Sequence, residues 1–472
     1  MQHNPSREPA SSGGWSLRVL AALGALVSIV GLAPPPSLGQ DDATFDATVD
    51  PPRFQWRFEA RTHYRDSEDV RFQSPLEFLM EALPPGENHA FLETPDAGSH
   101  VEVSMVTARF DARFTERLRG RLRLDLIDRH DRNPTSEDRD VDLDEAWLLF
   151  GHEWQPATVP DRRGGYVKIG KFPKFERQND PHLESYGLIA TAFNRFEDVG
   201  LEAGVDIGRH FYVKAQLTEG NPLFFRDPNA LAGDNGTTIF NGSVLNPVSK
   251  IKTGLPIFYD ADVDTIAFDN PELGNALGWR YGSPSGLVSV DVMVWAYRRH
   301  LADEAPIHNT FYGGDLDLLL GPGNETPLPV TNHRKREVGA NVWLYAGDLT
   351  LFGQYVDQSL AGLDRDGYEI ELSWTIDLPL FASLGGRQLF PWIAPAVRYS
   401  NLDPDFALHP MYPAPSVAWD WEKLDLGIRL GLWRESDLTV EWAKNDFIVK
   451  GEEKNMDELL VTLRLRFDHP DT

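Results

Sequence analysis

Residues 54–64 alternate without a break. Phe54, Trp56, Phe58, Ala60, Thr62 and Tyr64 take one side, and Gln55, Arg57, Glu59, Arg61 and His63 the other. Successive side chains of a strand point to opposite faces, so this segment has one apolar and one ionic face. The same period of two returns at 106–114, 118–126, 199–207, 368–376, 424–432 and 459–467. About sixteen such segments can be placed, starting near Phe54, Val106, Leu118, Leu143, Tyr166, Val199, Phe211, Ala276, Leu287, Val338, Leu349, Tyr368, Trp392, Lys423, Leu438 and Leu459. Eighteen is the alternative count. The expected fold class is all-β.

Two architectures accommodate half-apolar strands. A soluble sandwich turns the apolar face inward, whereas a closed barrel in lipid turns it outward and lines its lumen with the ionic face. Four features favour the up-and-down antiparallel transmembrane barrel. Strands of about eleven residues suit a tilted crossing of a bilayer. Links after even-numbered strands tend to be short, such as Thr115-Glu116-Arg117, Gly208-Arg209-His210 and Gly347-Asp348; links near His152 and Leu378 are exceptions. Links after odd-numbered strands tend to be long, as barrels with short periplasmic turns and long outer loops require. Aromatic residues sit at strand ends, among them Trp56, Tyr64, Phe172, Trp392 and Trp442.

The remaining length fits that reading. Residues 1–16 are polar, residues 19–33 are almost wholly apolar, and Ser37-Leu38-Gly39 supplies small residues for cleavage. Residues 1–39 therefore read as a secretory signal, with an uncleaved anchor helix as the alternative. Residues 40–53 form a lead-in, 54–467 one barrel and 468–472 a tail. The net charge is −27 and becomes −28 without the signal. Such a surface repels phosphates and argues against nucleic-acid partners. There is no cysteine, which excludes disulfide scaffolds, thiolate metal sites and cysteine catalysis.

Leu143-Asp144-Glu145-Ala146-Trp147-Leu148, followed by Tyr166-Val167-Lys168-Ile169-Gly170-Lys171-Phe172, resembles consecutive strands of bacterial outer-membrane porins. The texture is nearest to the phosphate-selective porins; alginate-export barrels share much of it. Ser185-Tyr186-Gly187 and the stretch 192–200 sit where that family has its constriction loop and next strand. The final strand ends in Phe467, like the signal read by the barrel-assembly machinery, but five residues extend beyond it. The resemblance implies outer-membrane location, a homotrimer in lipid, and passive diffusion of small hydrophilic solutes without a cofactor. It does not carry phosphate specificity.

If strand sixteen closes on strand one, the lumen acquires a basic wall of Arg57, Arg61, Arg109, Arg113, Arg119, Arg121, Arg123, Lys423, Arg429, Arg464 and Arg466. The opposite wall is acidic, with Glu202, Asp206, Asp291, Glu337, Glu369 and Glu371. Opposed walls predict a transverse field that orients charged solutes. The link 173–198 is the candidate constriction loop, with Lys174, Glu176, Arg177, Asp180, His182, Glu184, Tyr186, Arg195, Glu197 and Asp198. Any one of these arginines also reads as a solvated strand residue paired with a neighbouring carboxylate.

No nucleophile elbow, phosphate loop or zinc-protease motif is present. Asp364-Arg365-Asp366-Gly367 is half a calcium loop, and Asp260, Asp262 and Asp264 offer oxygens at spacing two, but solvated acidic loops explain both. No metal site is expected. A second reading keeps the barrel as a sheath or adhesion scaffold around a partner protein; a third makes it an outer-membrane hydrolase.

Overall fold

The computed structural model describes residues 54–68, 70–73, 91–93, 98–128, 141–154, 156–159, 163–178, 181–193, 197–220, 270–301, 331–380, 382–384, 386–406, 419–432, 435–449 and 451–468. The proposed signal and lead-in, Asp180, Arg195, most of the link 219–273, the Asp260–Asp262–Asp264 run and the last four residues lie outside them.

The chain forms a closed antiparallel barrel of sixteen strands. They are β1 (Phe54–Ser67), β2 (Gly98–Arg113), β3 (Leu118–Asp128), β4 (Asp142–Gly151), β5 (Gly165–Pro173) and β6 (Glu197–Ile207). Next come β7 (Phe211–Thr218), β8 (Glu272–Gly282), β9 (Val288–His300), β10 (Arg334–Ala346) and β11 (Leu349–Leu360). The circuit ends with β12 (Leu363–Trp374), β13 (Trp392–Asp405), β14 (Asp420–Gly431), β15 (Asp437–Val449) and β16 (Glu452–Asp468). Every strand pairs with its sequence neighbours, and β16 closes on β1 with Phe467 opposite Phe58 and Arg464 opposite Arg61. Asp468, just past the terminal aromatic, binds the Arg57 guanidinium at 2.7 Å and continues the ladder.

All sixteen expected strands are present, but several begin earlier than the alternation suggests. β2 starts at Gly98, β8 at Glu272, β10 at Arg334, β12 at Leu363 and β16 at Glu452. On β16 strand pairing continues past the apolar belt, where both faces are polar and the period of two disappears, as Glu452 to Asp457 shows; on β2 the alternation persists at Val101 and Val103, but a bulge at Ser104 shifts its phase. The extension also shortens two long-side links. β11 joins β12 through Ala361 and Gly362 alone, both at positive φ (53° and 92°), as a two-residue hairpin turn demands. β15 joins β16 through residues 450–451.

Burial is inverted relative to a soluble protein. On β5, Ile169 is 52% exposed while its neighbour Lys168 is 6% exposed. On β6, Leu201, Val205 and Ile207 face out, and Glu202 and Asp206 are buried. The same holds for Leu426 and Ile428 against Asp425 and Arg429 on β14. Exposed aromatics gather at both ends of the apolar belt: Phe54, Phe150, Phe211, Tyr281, Trp374 and Phe467 on the short-turn side, Tyr64 and Tyr355 on the other. An apolar belt flanked by aromatic girdles around a charged interior is stable in hydrocarbon and not in water. This excludes the sandwich. Among the described residues no helix is long and apolar enough to cross a membrane, a test that says nothing about strands.

One substitution separates the two environments. Val294, midway along β9, is 50% exposed. In water Val294→Arg would be nearly neutral. On a lipid face we expect a loss of about 2–4 kcal/mol, measured by guanidinium unfolding in phospholipid vesicles.

The inner face is densely filled. Glycines on it admit rings that lie flat against the wall. Tyr212 stands opposite Gly278, where an added Cβ would come within 2.0 Å of its ring, and Trp295 stands opposite Gly339 at 2.2 Å. Tyr212 then donates to Asp291 at 2.7 Å, and Trp295 to Asn341 at 2.9 Å.

Candidate functional site

The link between β5 and β6 turns into the barrel and carries a single buried helical turn, α1 (Leu188–Ala192). Leu188, Ile189, Ala192 and Phe193 are fully buried against apolar side chains of the barrel interior, including Val356, Leu402 and Trp421. The backbone is held by wall residues. Glu371 accepts from the His182 amide at 2.9 Å and from Gln178 at 3.0 Å. Glu441 accepts from the amides of Glu184 (2.7 Å) and Ser185 (3.2 Å). Arg398 donates to the carbonyl oxygens of Ser185 (2.6 Å) and Tyr186 (3.1 Å), and Lys423 to that of Tyr186 (2.8 Å). Arg365 donates to Ala192 O at 2.6 Å, and Gln354 to Glu176 O at 3.1 Å. The anchors come from β11 to β15, so the loop lies across that half of the lumen.

This placement changes the part played by the acidic residues. All six expected acidic-wall residues point inward and are buried. Five are engaged away from open space. Asp206 binds Arg280, Asp291 accepts from Tyr212 and the Ala157 amide, Glu337 accepts from Gln358, Glu369 accepts from Ser400, and Glu371 holds the loop. Only Glu202 borders the cavity described next. Among the described residues, the loop's anchors therefore lie on the acidic side of the lumen and the described cavity on the arginine side.

The open half is a cavity of about 370 Å³ beneath β16, β1, β2, β3, β4 and β5. Its lining includes Arg57, Arg61, Arg109, Arg119, Arg121, Arg123, Arg464 and Arg466 from the wall, with Lys174, Arg177, Glu184 and Glu197 from the loop and the start of β6. Arg113 and Arg429 face inward but do not border it; Arg429 instead binds Asp437 at 3.1 Å, and Lys423 is taken up by Asp425 at 2.9 Å. Glu176 turns away to Tyr297 (2.7 Å), and Asp198 is buried beside the Val199 amide. Counted over its lining, the cavity has twelve Arg and Lys side chains against seven Asp and Glu, an excess of five positive charges inside a strongly acidic chain.

The cations are held in place rather than dangling. Asp111 bridges Arg109 (2.6 Å) and Arg121 (2.7 Å), and Arg123 reaches Asp144 at 2.7 Å. Glu59 joins Arg61 and Arg466, each at 2.7 Å, and Arg61 reaches Glu184 on the loop at 3.0 Å. Carboxylates bridging two guanidiniums fix the donors, and acids just behind the lining pair with others: Asp144 and Asp125 with Arg123, Asp437 with Arg464, Glu272 with Lys174 and Asp468 with Arg57. Arg119, Arg121 and Arg123 recur every second residue, about 7 Å apart along β3. The positive field extends to the short-turn end. His152, just beyond β4, has its pKa lowered by burial and by Arg119, Arg113 and Arg117.

The sequence did not single out Arg398, Asp425, Glu441 or Arg365, which anchor the loop. Each alternates on its strand as the cavity arginines do, so period alone gave no signal.

A closed sixteen-strand barrel with an inserted loop and a charged aqueous cavity defines a membrane-spanning β-barrel with a narrowed lumen. No protein-family profile matches the chain, and no curated protein matches it. Solved structures with some likeness include the outer membrane channel DcaP of Acinetobacter baumannii (9% identity, 88% of this chain and 97% of that one, TM-score 0.46). Others are OmpF of Salmonella typhi in complex with daunomycin (8%, 88% and 98%, 0.44) and the anion-selective porin from Comamonas acidovorans (9%, 88% and 99%, 0.42). At these scores the likenesses decide neither family nor solute.

Proposed function

We propose that the chain is an outer-membrane pore for passive diffusion of small hydrophilic solutes, with anions favoured. The observation that carries the reading is the cavity: the loop is anchored on the β11–β15 half, and the cavity on the other side is bordered by twelve Arg and Lys side chains against seven Asp and Glu. Arg57, Arg61, Arg109, Arg119, Arg121, Arg123, Arg464 and Arg466 would form the pore wall, and Lys174, Arg177, Glu184 and Glu197 the constriction. Residues 1–39 would serve as the export signal, the strand ending in Phe467 would be read by the barrel-assembly machinery, and the barrels would associate as homotrimers. A sheath around a partner protein is less well supported, because the chain's own loop occupies much of the lumen.

Purified protein in planar bilayers is expected to give discrete single-channel steps, and in a KCl gradient a reversal potential of the sign set by chloride. Absence of steps from heat-modifiable, folded protein would contradict the pore. A reversal potential of the sign set by potassium would contradict the anion preference alone.

A further inference from the structure

The outside of the barrel carries a second cationic group, separate from the cavity. The outward face of β9 is apolar from Val288 to Ala296 and then turns cationic at Arg298 and His300. On β10, Val342, Ala340 and Val338 give way to Arg336 and Arg334. The register sets Arg298 opposite Arg336 and His300 opposite Arg334, and all four are exposed. Among the described residues, none of these three arginines forms a salt bridge, unlike Arg57, Arg61, Arg109, Arg121 and Arg123 inside. Asp357 feels Arg336 without pairing with it. Like charges directly opposite each other destabilise a strand pair unless an anion lies between them.

Height along the barrel says which anion. Tyr355, in the girdle on the long-connection side, stands opposite Ala340. Arg336 and Arg334 are the second and third outward positions beyond that row, where hydrocarbon gives way to headgroups. Farther round the rim the outward face is acidic, with Asp357 opposite Asp366 and Asp366 opposite Asp403. An anion at this level is repelled there and favoured at the arginines. Guanidinium forks match phosphate oxygens in pairs.

We propose that Arg298, Arg334 and Arg336 dock the phosphate groups of the outer-leaflet glycolipid. This rests on the barrel lying in the outer membrane with its long connections outward, not on conduction.

The test is titration of the detergent-solubilised barrel with lipopolysaccharide and with the same lipid dephosphorylated, read by native mass spectrometry. The phosphorylated lipid should bind more tightly, R298Q/R336Q should weaken it by about tenfold, and R298K/R336K should recover part of the loss. Equal binding of both lipids, or unchanged binding by the Gln variant, would overturn the proposal. So would loss of a lipid-free oligomer in the Gln variant, which would assign the patch to the acidic rim of a second copy. A wild-type barrel that binds the lipid but carries no current would count against the pore and leave the docking surface intact.

Discussion

Replacing Arg119, Arg121 and Arg123 together with Gln is expected to move the reversal potential toward that of potassium. A unit charge about 7 Å away in water contributes about 0.6 kcal/mol. Because each charge acts with opposite sign on anion and cation, one is worth nearly tenfold in their permeability ratio, and removing three lowers it by more than tenfold at low salt, and by less as salt screens the lumen. The sign is reinforced by what the arginines leave behind. Asp111 keeps Arg109, but Glu145 loses Arg121, and Asp125 and Asp144 lose Arg123. Those carboxylates then act on the cavity without a compensating guanidinium. The Arg121 and Arg123 side chains are only about one-quarter exposed and Glu145 and Asp125 are buried, so the triple variant costs some stability, and its currents are compared only in protein shown to be folded by heat modifiability. An unchanged reversal potential in folded triple variant would remove the arginine wall from the conduction path.

The second large effect concerns the loop. Arg398→Ala should destabilise the barrel by roughly 3–5 kcal/mol, the range for breaking a buried ion pair. Arg398 is 1% exposed; it binds Asp425 at 2.9 Å, approaches Glu371 at 3.6 Å and holds the Ser185 and Tyr186 carbonyls. Its loss leaves carboxylates packed in the filled half without their guanidinium, and frees the loop from β13. We expect earlier unfolding in guanidinium, and larger, noisier single-channel currents as the loop leaves the wall. Lys444→Ala, which removes an exposed pair with Asp446, is the control in which neither should change. Equal stability and current in both variants would mean that the loop is held by apolar packing around α1 alone.

Much of this architecture was legible in the sequence, for an identifiable reason. A strand in lipid has one face against hydrocarbon and one against ions, so Phe54 to Tyr64 or Val199 to Ile207 announce themselves by alternation. The same logic put Arg57, Glu202 and Arg429 on inward faces. It failed where both faces are polar: Glu452 to Asp457 belong to β16 but show no contrast between sides. For the same reason Asp364 and Asp366 looked like a calcium loop. In the structure they lie in β12 and face outward, while Arg365 points inward and caps α1.

What alternation could not supply was which half of the lumen is open. Arg121 with Asp111 and Arg398 with Asp425 have the same chemistry and the same period. The difference is tertiary: Leu188, Ile189 and Phe193 find an apolar seat against β11–β14, and that seat decides which ionic pairs become anchors and which stay beside water.

The absence of cysteine makes that distinction directly measurable. Gln55 borders the cavity, whereas Ser373 on β12 is an inward-facing residue of the filled half. Single Gln55→Cys and Ser373→Cys variants, each in a conducting bilayer, should be exposed to an anionic, water-soluble thiol reagent. The open-half account predicts rapid modification of the cysteine at position 55 with a lasting drop in current, and no response at position 373. A current that falls on modification at position 373 and ignores position 55 would contradict it.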